Sequence, residues 1–208
     1  MIDTKQKILD TAEKLFAERG YGATSMRQII AEAGVNLASI HYHFGSKEEL
    51  LDGIILRKAG PVNEIRLAML ERVLTEAGGK PPGLEAILHA FLWPVAKGAD
   101  QNQQFVRLMG RLLSEGLLST VVHKHFYEVM MRFLAAMHSV LPDLSREEFM
   151  WRFQFMIGAL SHTMCGVQQF HESLGLTGSF EDRLERLSRF VAAGFRAPAV
   201  VPALEVAR

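Results

Sequence analysis

Residues 34–50 read GVNLASIHYHFGSKEEL, and what their polar side chains point at decides the fold. Asn36, Ser39, His41, Tyr42 and His43 crowd into one short turn-and-helix unit. They are middling helix formers at best and poor core residues. Gly34 suits a left-handed turn, and Asn36 offers a side-chain oxygen to the amides of a short helix, Leu37 to Phe44. Gly45 stops that helix. Ile40 and Phe44 lie four residues apart and can pin it inward. Leu37, Ala38, Ser39, His41, Tyr42 and His43 are left on its outer faces.

Working outward, Ser25 with Gln28 makes a capping box for a short helix through about Ala33, with Ile29 and Ile30 as its buried side. Before it, residues 4–19 place Ile8, Leu9, Ala12, Leu15 and Phe16 on one face of a 3.6-residue period, and Gly20-Tyr21-Gly22 ends the helix. After Gly45, Ser46 with Glu49 forms another capping box, which opens a long fourth helix through Leu51, Ile54 and Ile55. Three short helices, a tight glycine turn between the second and third, then a long helix make a helix-turn-helix arrangement. In such a unit the outer face of the third helix is aimed at a DNA major groove. Small residues at Ala38 and Ser39 let the backbone approach a base-pair edge. Ser39 can donate or accept there, and Ala38 can touch a thymine methyl. His41, Tyr42 and His43 can reach phosphates or bases. Lys47 opposes the dipole of the helix it starts, at a cost of about 0.3–1 kcal/mol, which a phosphate there would reverse. Thr24 or Ser25 with Arg27 makes a second anion site at the start of helix two. The two sites would straddle a groove and set register while helix three specifies sequence.

At this point the run ILDTAEKLFAERGYGATSMRQIIAEAGVNLASIHYHFGSKEELL, residues 8–51, resembles the tetracycline-repressor (TetR) family of one-component regulators. The resemblance implies an all-α chain, a three-helix DNA-binding domain followed by a larger helical ligand-binding and dimerisation domain. By matching position it points to Thr24, Arg27, Ser39, Tyr42, His43 and Lys47 as contacts to double-stranded operator DNA. Ser25, Asn36, Leu37, Ala38 and His41 complete the expected interface. The family usually has tyrosine where this chain has His41, so the operator sequence does not carry over.

The bulk numbers allow this and exclude much else. Twenty-three Lys and Arg balance 23 Asp and Glu, and pI is about 7.1, so no bulk field announces a polyanionic partner. Residues 1–50 carry six basic against seven acidic side chains, so binding must rely on a few placed contacts and on two copies acting together. Cys165 is the single cysteine, which rules out an intramolecular disulfide or a multi-thiolate zinc site. MIDTKQKILD does not read as a signal peptide, and the apolar run near Ala86–Ala96, broken by His89 and Pro94, is too short to span a bilayer. A soluble cytoplasmic protein without a membrane role is the expectation. No HExxH, GxSxG or glycine-rich phosphate loop occurs, so no catalytic residue, metal or cofactor is expected.

Beyond GGKPPG at 78–83 everything reads helical. Apolar faces begin at Leu84 and at Phe105. A run from 120 to 141 steps Val122, Phe126, Val129, Phe133, Ala136 and Val140 without a slip, which predicts one helix. Ser145 with Glu148 caps the next, whose seam continues to Val167. Residues 180–195 close the pattern. Domains of 1–46 and 47–197 follow, with 198–208 expected to fray. Residues 145–174 are apolar on more than one face, so with residues 180–195 they can serve both their own core and a second copy. Methionines interspersed with aromatics suit an apolar ligand. Phe91, Trp93, Phe105, Met109, Phe126, Met130, Phe133 and Met156 are the expected lining, and Arg107, Arg111, His89 and His162 the polar groups that could meet a carboxylate. Pro94 should kink its helix. FVRLMGRLLSE, FMWRFQFMIGALSHTMCGV, AGVNLASIHYHFGSK and FVAAGFRA resemble the PsrA-type, fatty-acid-responsive branch, which implies a long-chain fatty acid or acyl thioester as effector. The reading is a ligand-released repressor acting as a homodimer. The alternative is a lipid-binding helical scaffold with no DNA role, which salt dependence of DNA binding would separate.

Overall fold

The computed structural model describes residues 3–98, 103–165 and 173–199. Among these residues there are ten α-helices, one 3₁₀ element and no strand. The helices are α1 Thr4–Arg19, α2 Met26–Ala33, α3 Leu37–His43, α4 Lys47–Glu76, α5 Leu84–Leu92, α6 Gln103–Ser114, α7 Leu118–His125, α8 Tyr127–Ser139, α9 Arg146–Cys165 and α10 Phe180–Arg196. They form two compact units, Met1–Ile65 with Gly98–Glu128, and Arg66–Lys97 with Val129–Arg208.

The first unit is built around α1. Ile8, Leu9, Ala12, Leu15 and Phe16 are buried along one face, as the 3.6-residue spacing requires. They meet Ile29 of α2, Ile40 and Phe44 of the α3 segment, and Leu50, Ile54 and Ile55 of α4. Leu108 and Leu112 of α6 and Val121 of α7 belong to the same core. The helix-turn-helix therefore does not close its core alone.

The local signals act as expected. Ser25 and Gln28 form a reciprocal capping box, Gly34 takes the left-handed conformation at φ 59°, and Asn36 Oδ1 accepts from the Ser39 N–H at 2.7 Å. The box expected at Ser46 and Glu49 is modified. Ser46 Oγ accepts from the Glu49 N–H, but Glu49 Oε2 reaches back one residue further, to the Gly45 N–H at 2.9 Å. At Ser145 only half a box forms, because Glu148 is engaged by Arg152.

The single helix expected from 120 to 141 is two helices. α7 ends at Phe126 (φ −125°, ψ −6°) and α8 starts at Tyr127. The apolar step is continuous, yet Val121 is buried in the first unit while Val129, Phe133 and Met137 are buried in the second. One periodic seam thus serves two cores. Pro94 does interrupt its helix: α5 stops at Leu92 and residues Trp93–Gly98 continue as 3₁₀ turns. Pro61 sits inside α4, where it removes one backbone donor.

In the second unit Leu184, Leu187, Val191 and Phe195 of α10 are buried. Phe149, Phe153, Met156 and Leu160 do the same for α9, whose seam beyond Cys165, including Val167, lies outside the described residues, as does the expected tail from residue 200. Arg152 is buried and donates to the carbonyls of Gly194, Phe195, Ala197 and Pro198. It satisfies the acceptors that the end of α10 leaves open.

Candidate nucleic-acid interface

α3 is seven residues long and only Ile40 within it is buried; Phe44, its C-cap, is buried beside it. The opposite side is open. Tyr42 is 86% exposed and Leu37 57%, and Ala38 and His41 are exposed with them. Positions 37, 38, 41 and 42 share one face at the helical period. Large side chains left bare side by side on a well-anchored helix suit a partner surface. Tyr42 and His43 stand edge to face, ring centroids 5.0 Å apart, and His43 is half-buried.

The polar side chains around α3 sort into two kinds. Asn36 and Ser25 cap α3 and α2 and so fix where those helices start. Thr24 is buried, and its hydroxyl donates inward to the Gly20 carbonyl at 2.8 Å, so it fixes the α1–α2 turn. Ser39, His41, Tyr42, His43 and Arg27 are the groups presented around the open face, Arg27 exposed near the start of α2. Lys47 is half-buried, with Nζ 4.1 Å above the ring of Tyr21. That cation–π contact offsets part of the unfavourable placement at the start of α4, as do the Glu48 and Glu49 carboxylates of the same turn. The Tyr21 hydroxyl is pushed up to about 12 by burial and by Glu48.

Three supports of this unit are not legible in the motif. Glu115, just past α6, accepts from the N–H groups of Tyr21 at 3.0 Å and Gly22 at 2.8 Å. Gly20 has φ 94°, a backbone conformation that favours glycine, and a Cβ there would displace the Glu115 carboxylate. Arg111 of α6 donates to the Glu18 carbonyl on the other side of that glycine. On α4, Asp52 bonds Lys124 and His125 Nε2, the latter at 2.7 Å. Burial would raise the Asp52 carboxyl, but bonds and charge from Lys124 and His125 hold it below its usual range. Arg57 is the third, bridging Asp10 at 2.7 Å and the buried Glu13 at 2.6 Å of α1.

The expected effector residues fall into three groups. Phe105, Met109 and Phe126 pack against the core of the first unit. Phe91, Phe133 and Met156 are buried in the second, where the Phe91 and Phe133 rings meet at 5.0 Å. Trp93 stacks on His89 and Met130 is half-buried, while Arg107 and His162 are exposed. Sequence reasoning missed Arg66. It is buried on the second half of α4, its Nε donates to the Phe91 carbonyl at 2.8 Å, and its guanidinium lies 4.4 Å from the Phe91 ring centre. Burial lowers it to about 10, so it stays charged at neutral pH. The available signal was an arginine at an apolar-face position, between Val62, Ile65, Met69 and Leu70. Among the described residues no three His, Cys, Asp or Glu side chains are placed to hold a metal ion. No described helix is long and apolar enough to cross a membrane.

Comparison with known proteins agrees with this geometry. A family model described as bacterial regulatory proteins, tetR family, matches residues 8–54. A second, described as tetracyclin repressor-like, C-terminal domain, matches residues 85–194. The chain is 29% identical over 140 residues to the HTH-type transcriptional regulator SrpR of Pseudomonas putida, a match covering 67% of this chain and 60% of SrpR. It is 45% identical over 51 residues to the HTH-type transcriptional repressor KstR2 of Rhodococcus jostii (strain RHA1), covering 24% of this chain and 25% of that one. These matches span less than two thirds of either relative. The crystal structure of a TetR-like transcriptional regulator from Rhodococcus sp. RHA1 superposes with TM-score 0.60 at 19% identity, covering 94% of this chain and 97% of that one.

Proposed function

This chain belongs to the TetR family of transcriptional regulators, and from that premise we propose that it is a repressor whose dimer leaves its operator when an apolar effector binds. The observation that carries the DNA-binding part is the open face of α3, with Tyr42 and Leu37 turned to solvent while Ile40 and Phe44 anchor the helix from behind. Sequence would be read by α3, and register set by contacts from Arg27 and Lys47 to phosphates.

A single helix-turn-helix buries little surface on DNA, so a symmetric pair is required. The pairing surface we assign is on α9 and α10. Trp151, Phe155, Gly158 and His162 form one stripe on α9, opposite the buried Phe149, Phe153, Met156 and Leu160. Phe155 is 65% exposed, and Phe190 of α10 is 71% exposed. Apolar area of this kind is what a four-helix dimer interface buries.

The effector we assign is a long-chain fatty acid or acyl thioester. The support is the Phe91, Phe133 and Met156 cluster of the second unit and the buried positive charge of Arg66 beside it. Binding would favour a dimer shape whose α3 helices no longer match grooves about 34–36 Å apart.

The test is selection of sheared genomic DNA by the purified chain, followed by titration of the selected duplex. Nanomolar binding that falls steeply with salt, and that sub-micellar long-chain acids weaken, is expected. Lipid binding without any duplex binding would favour the scaffold reading instead. Duplex binding that no acyl compound changes would remove the effector part alone.

A further inference from the structure

We propose that the first turn of α3 reads a thymine-bearing edge, Leu37 and Ala38 packing on thymine C5-methyl groups while the Ser39 hydroxyl accepts a hydrogen bond from a base amino group, adenine N6 or cytosine N4. This rests on the DNA-binding reading above and names the chemistry of the half-site.

The polarity of Ser39 follows from its partners. The Ser39 N–H lies 2.7 Å from Asn36 Oδ1. An N–H only donates, so the atom it meets is the amide oxygen. The Ser39 hydroxyl lies 2.9 Å from the same oxygen, which carries no proton, so the hydroxyl must donate to it. Its one proton is engaged inside the cap, and the hydroxyl keeps its lone pairs for an outside donor. Guanine O6 and N7, adenine N7 and thymine O4 are themselves acceptors and cannot satisfy them. Only the amino groups of adenine and cytosine offer a donor in the major groove.

Leu37 supplies the second half. It is the first residue of α3, it is 57% exposed, and Ala38 beside it is exposed too. The N-terminal residues of a recognition helix are the ones that meet base edges. A leucine there has no hydrogen-bonding group, so the feature of a base edge it complements is the thymine methyl. Leu37 and Ser39 are two positions apart and diverge on the helix, so the methyl and the amino group they meet belong to different base pairs of the half-site.

The experiment uses the full chain and a duplex selected from a random-sequence library. Each thymine of the half-site is replaced singly by deoxyuracil, which removes only the methyl. At one or two positions the substitution should weaken binding about fourfold per methyl. Leu37→Ala should bind the thymine duplex more weakly and be indifferent to deoxyuracil at the same position. Leu37 is exposed, so its melting temperature should match the parent's. Ser39→Ala keeps the backbone N–H that Asn36 caps, and should lose the penalty for deleting the amino group from the contacted base. The proposal is overturned if no deoxyuracil weakens binding beyond twofold, or if Leu37→Ala keeps the parental sensitivity. A library that enriches no duplex overturns the DNA-binding reading itself, and this inference with it.

Discussion

Two faces of this chain carry large side chains into solvent, and they differ in what they can bond. The α3 face sets Leu37 and Ala38 beside the His41 imidazole and the Tyr42 phenol, flanked by the half-buried Ser39 and His43. The α9–α10 face offers Trp151, Phe155 and Phe190, with Gly158, Ala193 and Gly194 exposed on the same two helices. A mixed face suits a partner whose edge alternates donors, acceptors and methyls, as a base pair does. An apolar face with small residues suits another helix pair that can approach closely. Exposure of big side chains is thus common to both surfaces, and the chemistry between those side chains separates the partners.

The sharpest way to break that contrast is to charge the apolar face. Phe155→Glu should convert the dimer to a monomer by sedimentation velocity. Operator affinity should fall on the order of a hundredfold, since a buried unpaired charge costs several kcal/mol at an interface. The isolated subunit should still melt cooperatively, because Phe155 is exposed within it. Gly158→Leu sharpens the same point. A Cβ at Gly158 meets nothing within 4 Å among the described residues, so weaker dimerisation without loss of helix would locate the second copy there.

On the mixed face, Tyr42→Ala should cost roughly tenfold to a hundredfold in operator affinity, the worth of a good groove contact. Dimerisation and melting temperature should stay unchanged, because the ring is 86% exposed. A comparable loss of thermal stability would mean that Tyr42 supports the fold instead.

The helix-turn-helix was legible because its signals are local. Ser25–Gln28, Gly34 and Asn36 each act within a few residues, and the structure keeps all three. The supports of that unit were not, because they join residues far apart in the chain. Glu115 meets Tyr21 across 94 positions and His125 meets Asp52 across 73, and no period or cap announces such a pair. The break at Phe126 was hidden for a related reason: the apolar step runs on unbroken while the core it serves changes. Arg66 was passed over because a charge among apolar neighbours reads as solvent-facing until its partner, the Phe91 carbonyl, is seen.

Those distant supports give two smaller tests. Glu115→Ala leaves the N–H groups of Tyr21 and Gly22 without their carboxylate. It should lower the melting temperature by about 2–4 °C, the worth of roughly one net hydrogen bond in a chain this size. Operator affinity should fall several-fold while dimerisation is kept. Equal affinity would show that the α1–α2 turn holds its place without α6.

The smallest effect is in acid. Asp52 is held below its usual range in the folded chain by Lys124 and His125. A carboxyl lowered on folding contributes stability that is present above its unfolded value, about pH 4, and is lost as pH falls through the folded value. Urea unfolding at stepped pH should show Asp52→Asn less stable than the parent at pH 7, with the gap closing below pH 4. A gap that stays constant would remove Asp52 from the linkage.

The most direct measurement is a stoichiometric titration of a selected duplex at concentrations far above its dissociation constant. Paired α3 helices predict saturation at two chains per operator, or an even multiple, with binding that weakens steeply as salt rises. Saturation at one chain per duplex, or no binding at low ionic strength, would contradict the account.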